Sequence, residues 1–281
     1  MNGAESLIRS FTAAGVNVCF ANPGTSEMHL VQAVDAVPEM RAVLSLFEGV
    51  CTGAADGYGR MTGMPATTLL HLGPGLGNGI ANLHNARRAS TPVINLIGNH
   101  ALYHMDYDAP LTSDIGTLAK NVSSWVKGDS TASSLATDGM LALQFALTAK
   151  PGSAGQISTM IIPADACWNE EGAAASYINA PERRKVDDKV VSEVAQLLDN
   201  SSMILINSDG LSIEARIAAN RISEKTGCRV SMTPFPSRVD GGAGLPGCER
   251  LPYFPEQVLA ALNGVEKLIL AGADSPVSFF A

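Results

Sequence analysis

Short apolar runs alternate with segments of helical pattern from one end of the chain to the other. The runs at 92–97 and 157–162 are almost continuously apolar, whereas the residue patterns of 48–62 and 136–149 are helical. Strands that are apolar on both faces and separated by helices are typical of parallel sheets covered by helices on both sides. The sequence therefore predicts an α/β fold built on parallel sheets.

The length and the charge pattern predict two consecutive α/β domains. The chain has 281 residues, and a domain averages about 150 residues. Residues 165–180 show no clear period, and the densest charge cluster, at 181–185, follows them as in a solvated linker. We predict a first domain over 1–170, a linker over 171–186 and a second domain over 187–281.

The second domain is expected to be incomplete. Few strands are evident in it, and the sequence stops at Phe279, Phe280 and Ala281. Two phenylalanines at such an edge predict that further chain or a partner covers them. Within this domain, Ser212 is expected to cap a helix that Gly227 ends.

Charge and composition argue against several classes of protein. The 27 acidic and 19 basic residues give a net charge of −8, which disfavours binding to nucleic acid or to an anionic membrane surface. No run approaches the roughly 18 apolar residues of a membrane span, and the first residues lack the order of a signal peptide. The five scattered cysteines are typical of reduced thiols in a cytoplasmic protein.

Glu48 is the only charged residue between positions 42 and 55, and it stands where a predicted strand meets a predicted helix. A lone carboxylate in apolar surroundings is costly unless something pairs with it. One interpretation is a partly wetted glutamate that the helix dipole stabilises. The other is a buried acid that exchanges a proton with a ligand.

A glycine-rich segment from His71 to Gly79 follows a predicted strand and precedes a helix that reaches about Ala89. We expect a loop over 73–79, where glycines let a ligand approach the backbone. A dinucleotide fingerprint is not met, because Asn78 stands where its third glycine is required. His71 is either a core histidine whose hydrogen bonds are made within the protein or a functional group at the end of a strand.

A third candidate segment, Asn22 to Glu27, follows the strand predicted at 16–20. Ligands bind at the carboxyl ends of strands in open α/β sheets. A compatible alternative is a tight turn in which Thr25 or Ser26 caps the next helix.

Four residues after the strand at 92–97 suggest a metal site at first sight. Their irregular spacing favours a hydrated surface loop, so we expect no metal ligands within this sequence. The four residues are His100, His104, Asp106 and Asp108.

Three ordered segments of the chain resemble the thiamine diphosphate enzymes of the acetolactate synthase, pyruvate decarboxylase and benzoylformate decarboxylase group. The first segment of this chain, FANPGTSE, resembles the family's strand-end loop F-G-N-P-G-x-x-E. The second, FEGVCTGAADGYGRMTG, resembles the family's helix E-x-x-A-x-x-A-A-D-G-Y-A-R-x-T-G. The third, HLGPGLGNGIANLHNARRASTPVINLIG, resembles the family's segment G-P-G-x-x-N … P-x-x-x-I-x-G. The resemblance implies a pyrimidine-binding domain over about 1–170 and, less sharply, a truncated Rossmann-like central domain after it.

The resemblance implies a catalytic role for Glu48. The matching glutamate of the family hydrogen-bonds N1′ of the aminopyrimidine and promotes its imino tautomer. The imine then removes the C2 proton of the thiazolium, and the resulting ylid attacks a 2-oxo acid. In this family the cofactor does the hard chemistry and the protein positions it.

Further site residues also come from the resemblance. His71 matches a histidine of benzoylformate decarboxylase that faces the substrate, and Thr25 occupies the position of that enzyme's substrate-contacting serine. Ser26, the next residue, is also expected at the substrate. Together with Glu48, the residues expected at the cofactor are Pro23, Gly24 and Asn78.

One family motif has no counterpart in these 281 residues. The G-D-G motif with a later asparagine, which binds Mg²⁺ and the diphosphate in the family's third domain, does not occur. We therefore expect Mg²⁺ to be held outside this sequence and the 281 residues to be inactive alone. Asn99 and His100 replace the glycine and glutamine of acetolactate synthase, which leaves FAD binding open.

The resemblance implies the N-terminal part of a thiamine diphosphate enzyme that decarboxylates or joins small 2-oxo acids. The alternative is a non-catalytic subunit or half-enzyme that needs a separate diphosphate-binding chain. An unrelated nucleotide-binding protein is disfavoured by Asn78. Residues 66–100 carry only two charges, Arg87 and Arg88. This low charge fits a surface that is buried between subunits, as in the family's paired subunits. We therefore expect a homodimer or homotetramer.

Overall fold

The structure, a computed structural model, describes residues 1–148, 155–177 and 185–280. These residues form two compact units, the first containing 1–148 with 155–177 and the second containing 185–280. The end of the helix expected at 136–149, most of the charge cluster at 181–185 and part of the expected linker lie outside the described residues, as does Ala281. The domain limits given above stay a prediction.

The first unit is built on a six-stranded parallel sheet in the order β2-β1-β3-β4-β6-β5. The central strands β3, β4 and β6 are buried along their whole length, whereas the edge strand β2 is largely exposed. The strands are β1 (Val18–Asn22), β2 (Arg41–Leu44), β3 (Thr67–Leu70), β4 (Val93–Asn99), β5 (Trp125–Lys127) and β6 (Ile157–Pro163).

Helices cover both faces of this sheet. Adjacent residues of one strand point to opposite faces, and accordingly Leu69 and Leu70 of β3 belong to two different apolar clusters. One cluster includes side chains of α1, α2 and α6, and the other includes side chains of α3, α4 and α5. The helices are α1 (Gly3–Ala13), α2 (Met28–Ala36), α3 (Glu48–Thr62), α4 (Leu72–Arg88), α5 (Ile115–Lys120), α6 (Leu135–Leu147) and α7 (Ala164–Trp168), with 3₁₀ helices at Thr25–Glu27 and Leu102–Tyr107.

The second unit contains a four-stranded parallel sheet in the order β10-β7-β8-β9. Apolar clusters again lie on both sides of it. The parallel α/β architecture with two sheets, predicted from the alternation of apolar runs and helices, is therefore confirmed. The elements are α8 (Asp188–Leu197), β7 (Ser202–Ile206), a 3₁₀ helix (Ser208–Leu211), α9 (Ile213–Thr226), β8 (Arg229–Met232), β9 (Glu249–Arg250), α10 (Pro255–Ala261) and β10 (Lys267–Ala271).

Two local predictions in the second unit are confirmed. The Ser212 side chain accepts a hydrogen bond from the backbone N–H of Ala215 at 3.2 Å and so caps α9. Gly227 ends α9 in the left-handed conformation, with φ at +75°.

The rings of Phe279 and Tyr253 stack with centroids 4.7 Å apart, and Phe279 and Phe280 remain half exposed.

The loop expected over 73–79 is wrong, because α4 begins at Leu72 and its first turns contain these glycines. The reason is close helix packing. A Cβ at Gly75 would lie 3.1 Å from Oε1 of Glu48, and a Cβ at Gly79 would lie 2.8 Å from Cγ2 of Thr52. The glycines therefore allow α4 to approach α3, although glycine is a weak helix former.

None of the helices in the described part of the chain combines the length and the apolar composition needed to cross a membrane.

Candidate functional site

The three candidate segments meet at one edge of the first sheet. The strands β2, β1 and β3 are adjacent and parallel, so their carboxyl ends lie side by side. Asn22, expected in a loop, is the last residue of β1 and pairs in register with Leu70 of β3. Its side-chain amide donates to the backbone carbonyl of Ser45 at 2.7 Å, which ties the segment after β1 to the segment after β2.

Glu48 is the first residue of α3 and is buried, with an exposed fraction of 8%. Its Oε2 accepts a hydrogen bond from Nδ2 of Asn78 at 3.0 Å. The structure thus brings Glu48 and Asn78 together across 30 residues of sequence. The helix N-terminus also favours a negative charge at this position.

The fit of Glu48 to a ligand depends on its second carboxylate oxygen. Oε1 accepts no hydrogen bond from the described residues, and it lies beside Gly75, where a Cβ would come within 3.1 Å. Oε1 is not one of the buried atoms that lack a hydrogen-bond partner in the described residues, so it is open to solvent and accessible to a ligand. The residues present therefore fit a group that donates a hydrogen bond to Oε1, as the aminopyrimidine of thiamine diphosphate is expected to do.

Helices α3 and α4 are fastened to each other around Glu48. Asn82 of α4 donates to the backbone carbonyl of Gly49 at 2.6 Å, and the Thr52 hydroxyl donates to the carbonyl of Gly79 at 3.1 Å. Both acceptors are glycines, so the two helix backbones can come close together. This close packing holds the carboxyl of Glu48 in a fixed place relative to the start of α4.

His71 lies at the carboxyl end of β3 and is paired with Glu27. Its Nδ1 lies 2.9 Å from Oε2 of Glu27, and about a quarter of its side chain is exposed. The next residue, Leu72, is buried and adopts φ of +50°, a left-handed conformation that costs a non-glycine residue free energy. His71 is thus neither a free surface residue nor a fully buried core residue.

The other predicted site residues lie in the segment that follows β1. Pro23, Gly24 and Ser26 are half-buried, and Thr25 is exposed. The expected cap by Thr25 or Ser26 is wrong. Gly24 precedes the 3₁₀ helix and Glu27 precedes α2, and the Glu27 carboxylate turns back to accept the backbone N–H of Gly24 at 2.7 Å. The roles of these residues stay predictions.

Glu27 is the site residue that the sequence reasoning missed. It is fully buried beside His71. The signal was present: apart from Glu27, the segment from Val18 to Val34 carries no Asp, Glu, Lys or Arg. This is the same pattern of a lone carboxylate that singled out Glu48.

Three cysteines near the site are held as neutral thiols. Burial raises the pKa of Cys19 to about 11 and that of Cys167 to about 12. Burial also raises the pKa of Cys51, and the nearby carboxylate of Glu48 adds to this rise. Because the thiolate is the reactive form, none of these cysteines is suited to act as a nucleophile.

The residues after β4 form a small aromatic group. The rings of His100 and His104 meet edge-on at 5.9 Å, and His104 packs on Tyr107 at 5.6 Å. Within 1–148, 155–177 and 185–280, no three or more histidine, cysteine, aspartate or glutamate side chains are arranged to hold a metal ion.

The second unit contains a cavity of about 120 Å³ beside α9. Arg216 lines it, and this guanidinium donates to the backbone carbonyls of Asp240 and Pro246. These bonds fasten the segment before β9 to α9. The arginine thus has a structural role in that unit.

Comparison with known proteins confirms the resemblance described above. Residues 1–120 match the family described as thiamine pyrophosphate enzyme, N-terminal TPP binding domain; thiamine pyrophosphate is another name for thiamine diphosphate. The chain is 51% identical over 283 residues to a provisionally named acetolactate synthase large subunit, IlvX, of Mycobacterium tuberculosis. It is 33% identical over 112 residues to benzoylformate decarboxylase of Pseudomonas aeruginosa.

The coverage of these matches differs between the chain and its relatives. The match to the mycobacterial protein covers 100% of this chain and 54% of the relative, so the chain spans about half of that relative's length. The match to benzoylformate decarboxylase covers 40% of this chain and 21% of that enzyme.

A solved structure shares the fold of the whole chain. It is the thiamine diphosphate-dependent 4-hydroxybenzoylformate decarboxylase of Rhodococcus jostii RHA1, with a TM-score of 0.84 and 22% identity. The match covers 100% of this chain and 53% of that one.

Proposed function

We propose, from the match of residues 1–120 to the N-terminal TPP binding domain of thiamine pyrophosphate enzymes, that the chain is the N-terminal part of an enzyme acting on 2-oxo acids. The observation that carries the proposal is the carboxyl of Glu48. It is buried at the start of α3, held by Asn78 through one oxygen, and free at the other.

Glu48 is proposed to hold and move a proton at Oε1. Its burial at a helix N-terminus and its bond to Asn78 fix the direction in which Oε1 faces a ligand. Thiamine diphosphate, when bound, would supply a nucleophilic carbon for the carbonyl of a 2-oxo acid and an electron sink for the release of CO₂. Transfer of a proton by a positioned carboxyl is the contribution of this chain.

His71 is proposed to face the substrate. Its Nδ1 is taken by Glu27, which leaves Nε2 as the ring nitrogen that can exchange a hydrogen bond or a proton with a substrate oxygen. Pro23 and Gly24 would line the cofactor, and the exposed Thr25 and half-buried Ser26 would contact the substrate.

The remaining parts of the proposal concern groups outside the described residues. We propose that Mg²⁺ and the diphosphate are held by residues beyond this sequence, so that the 281 residues are inactive alone. The greater length of the mycobacterial relative supports this proposal. A homodimer or homotetramer in the cytoplasm, with FAD as an optional further cofactor, belongs to the same proposal.

The test is an assay of the protein as its cell makes it, with pyruvate and with benzoylformate. We expect consumption of at least one acid, release of CO₂, and dependence on added thiamine diphosphate and Mg²⁺. Analysis of the product separates simple decarboxylation from joining of two acids. Activity that appears only with a second, co-purifying chain would establish the half-enzyme alternative. No binding of thiamine diphosphate by calorimetry would contradict the proposal.

A further inference from the structure

We propose that Glu27 is a positioning residue for His71, and that glycine is required at positions 24 and 98 to leave room for this pair. The proposal rests on the proposed function only in its kinetic consequences. The pairing of the two side chains can be measured in the protein without cofactor or substrate.

Glu27 has an unusual environment for a carboxylate. It is fully buried, and no lysine or arginine of the described residues lies within salt-bridge distance of it. Its Oε2 accepts the backbone N–H of Gly24 at 2.7 Å and faces Nδ1 of His71 at 2.9 Å. Because a buried carboxylate needs compensation, the histidine ring is its natural counter-group.

The other oxygen of Glu27 lies against β4. Oε1 is buried without a hydrogen-bond partner. It occupies the space that a Cβ at Gly98 would take, and such a Cβ would also lie 2.6 Å from Cδ of Glu27. Gly98 is an ordinary strand residue paired with Ile162 and has no positive φ. The glycine is therefore needed for space and not for backbone conformation.

Gly24 provides the same space on the histidine side. A Cβ at this position would overlap the ring of His71, with Cγ at 2.6 Å. Gly24 adopts φ of −112° and ψ of −160°, in the extended region. Two glycines from two different segments thus enclose one glutamate–histidine pair, and an alanine at either position would push the pair apart.

The consequence is a fixed orientation of the ring. With Nδ1 held by Glu27, Nε2 is the ring nitrogen that stays available to a ligand, and the ring cannot turn without breaking this bond. A carboxylate that orients a histidine in this way is a recurrent device in enzymes. Glu27 would act on the reaction through His71 and not by touching the substrate.

The experiment compares variants of the full-length protein by NMR of ¹⁵N-labelled histidine without cofactor. We expect a slowly exchanging Nδ1–H signal of His71 in the unmodified protein and in Glu27→Gln, whose amide oxygen can still accept. The signal should vanish in Gly98→Ala. The matched control is Gly128→Ala, because a Cβ there would make ordinary contacts at 3.8 Å.

Kinetics of the same variants provide the second readout. We expect Gly98→Ala to lower kcat on the order of tenfold or more, the scale of a lost orienting bond, with unchanged affinity for thiamine diphosphate. Glu27→Gln should keep kcat within a few-fold of the unmodified protein, because its amide oxygen can still accept from Nδ1 and orient the ring. An intact Nδ1–H signal in Gly98→Ala, or an undiminished kcat in the same variant, would overturn the proposal. The NMR signal tests the pairing of Glu27 with His71 even if the protein has no activity on 2-oxo acids. If Gly98→Ala does not fold, Gly24→Ala tests the same pair.

Discussion

The amide of Asn78 donates a hydrogen bond of 3.0 Å to the carboxyl of Glu48, and this bond joins the second turn of α4 to the first residue of α3. The contact uses one carboxylate oxygen and leaves the other to a ligand. Asn78 is exposed, so the bond lies at the rim of the site and not in the core.

Replacing Asn78 by aspartate should weaken the function of Glu48. The new side chain would set a second carboxylate beside Glu48 in place of a donor, so the hydrogen bond is lost and the carboxyl is no longer held in place. We expect turnover to fall about tenfold or more, equivalent to at least about 1.4 kcal/mol, which is near the lower limit for one hydrogen bond to a charged group. Steady-state kinetics of the full-length protein measure this loss. Asn17→Asp, an exposed change in the same unit but outside segment 66–100, is the control and should have no effect.

Two neighbouring glycines of α4 should respond to alanine in opposite directions. A Cβ at Gly77 would meet nothing within 4 Å, so Gly77→Ala should stabilise the protein by about 0.5–1 kcal/mol through helix propensity. A Cβ at Gly79 would press on Thr52 at 2.8 Å, and Gly79→Ala should destabilise it by about 1–3 kcal/mol. Urea denaturation measures both changes. Equal effects of the two substitutions would show that α3 and α4 do not pack as described.

The stability of the first unit should fall in alkaline solution because of Cys19. Burial raises its pKa in the folded protein from the ordinary 9.0 to about 11, so the stabilisation is complete below pH 9 and is lost as the pH rises toward 11. At pH 10 this thiol is expected to lower the free energy of unfolding by about 1.4 kcal/mol. Denaturation at pH 8 and pH 10 should show a smaller loss in Cys19→Ala than in the unmodified protein. The same loss in both would contradict the burial of this thiol.

Much of the fold follows from the sequence because local and tertiary signals agree. The helix predicted over 48–62 is α3, the apolar run at 157–162 lies in β6, and the caps at Ser212 and Gly227 are in place. In each case propensity, apolar pattern and end signals indicate the same element. Strand ends shift by one or two residues, as β1 does, because the apolar pattern continues into the turn.

The rest depends on contacts that the sequence does not display. Glycines favour a loop locally, and only the close approach of α3 explains why residues 73–79 are helical. The pairing of Glu27 with His71 spans 44 residues, and no local pattern announces it. The elements β5 and α5, with 3 and 6 residues, are too short for a clear period.

The most direct test of the account is the turnover of the full-length protein carrying Glu48→Gln. The amide keeps the size of the side chain and can still meet Asn78, but it cannot exchange a proton at this position. We predict that turnover of a 2-oxo acid falls on the order of a hundredfold or more, the usual contribution of general acid–base catalysis. The melting temperature should stay unchanged.

The matched control is Glu39→Gln, which alters an exposed carboxylate of the same unit and should leave turnover as it was. Undiminished turnover in Glu48→Gln would contradict the account, because the buried carboxyl at the start of α3 would then have no part in the reaction.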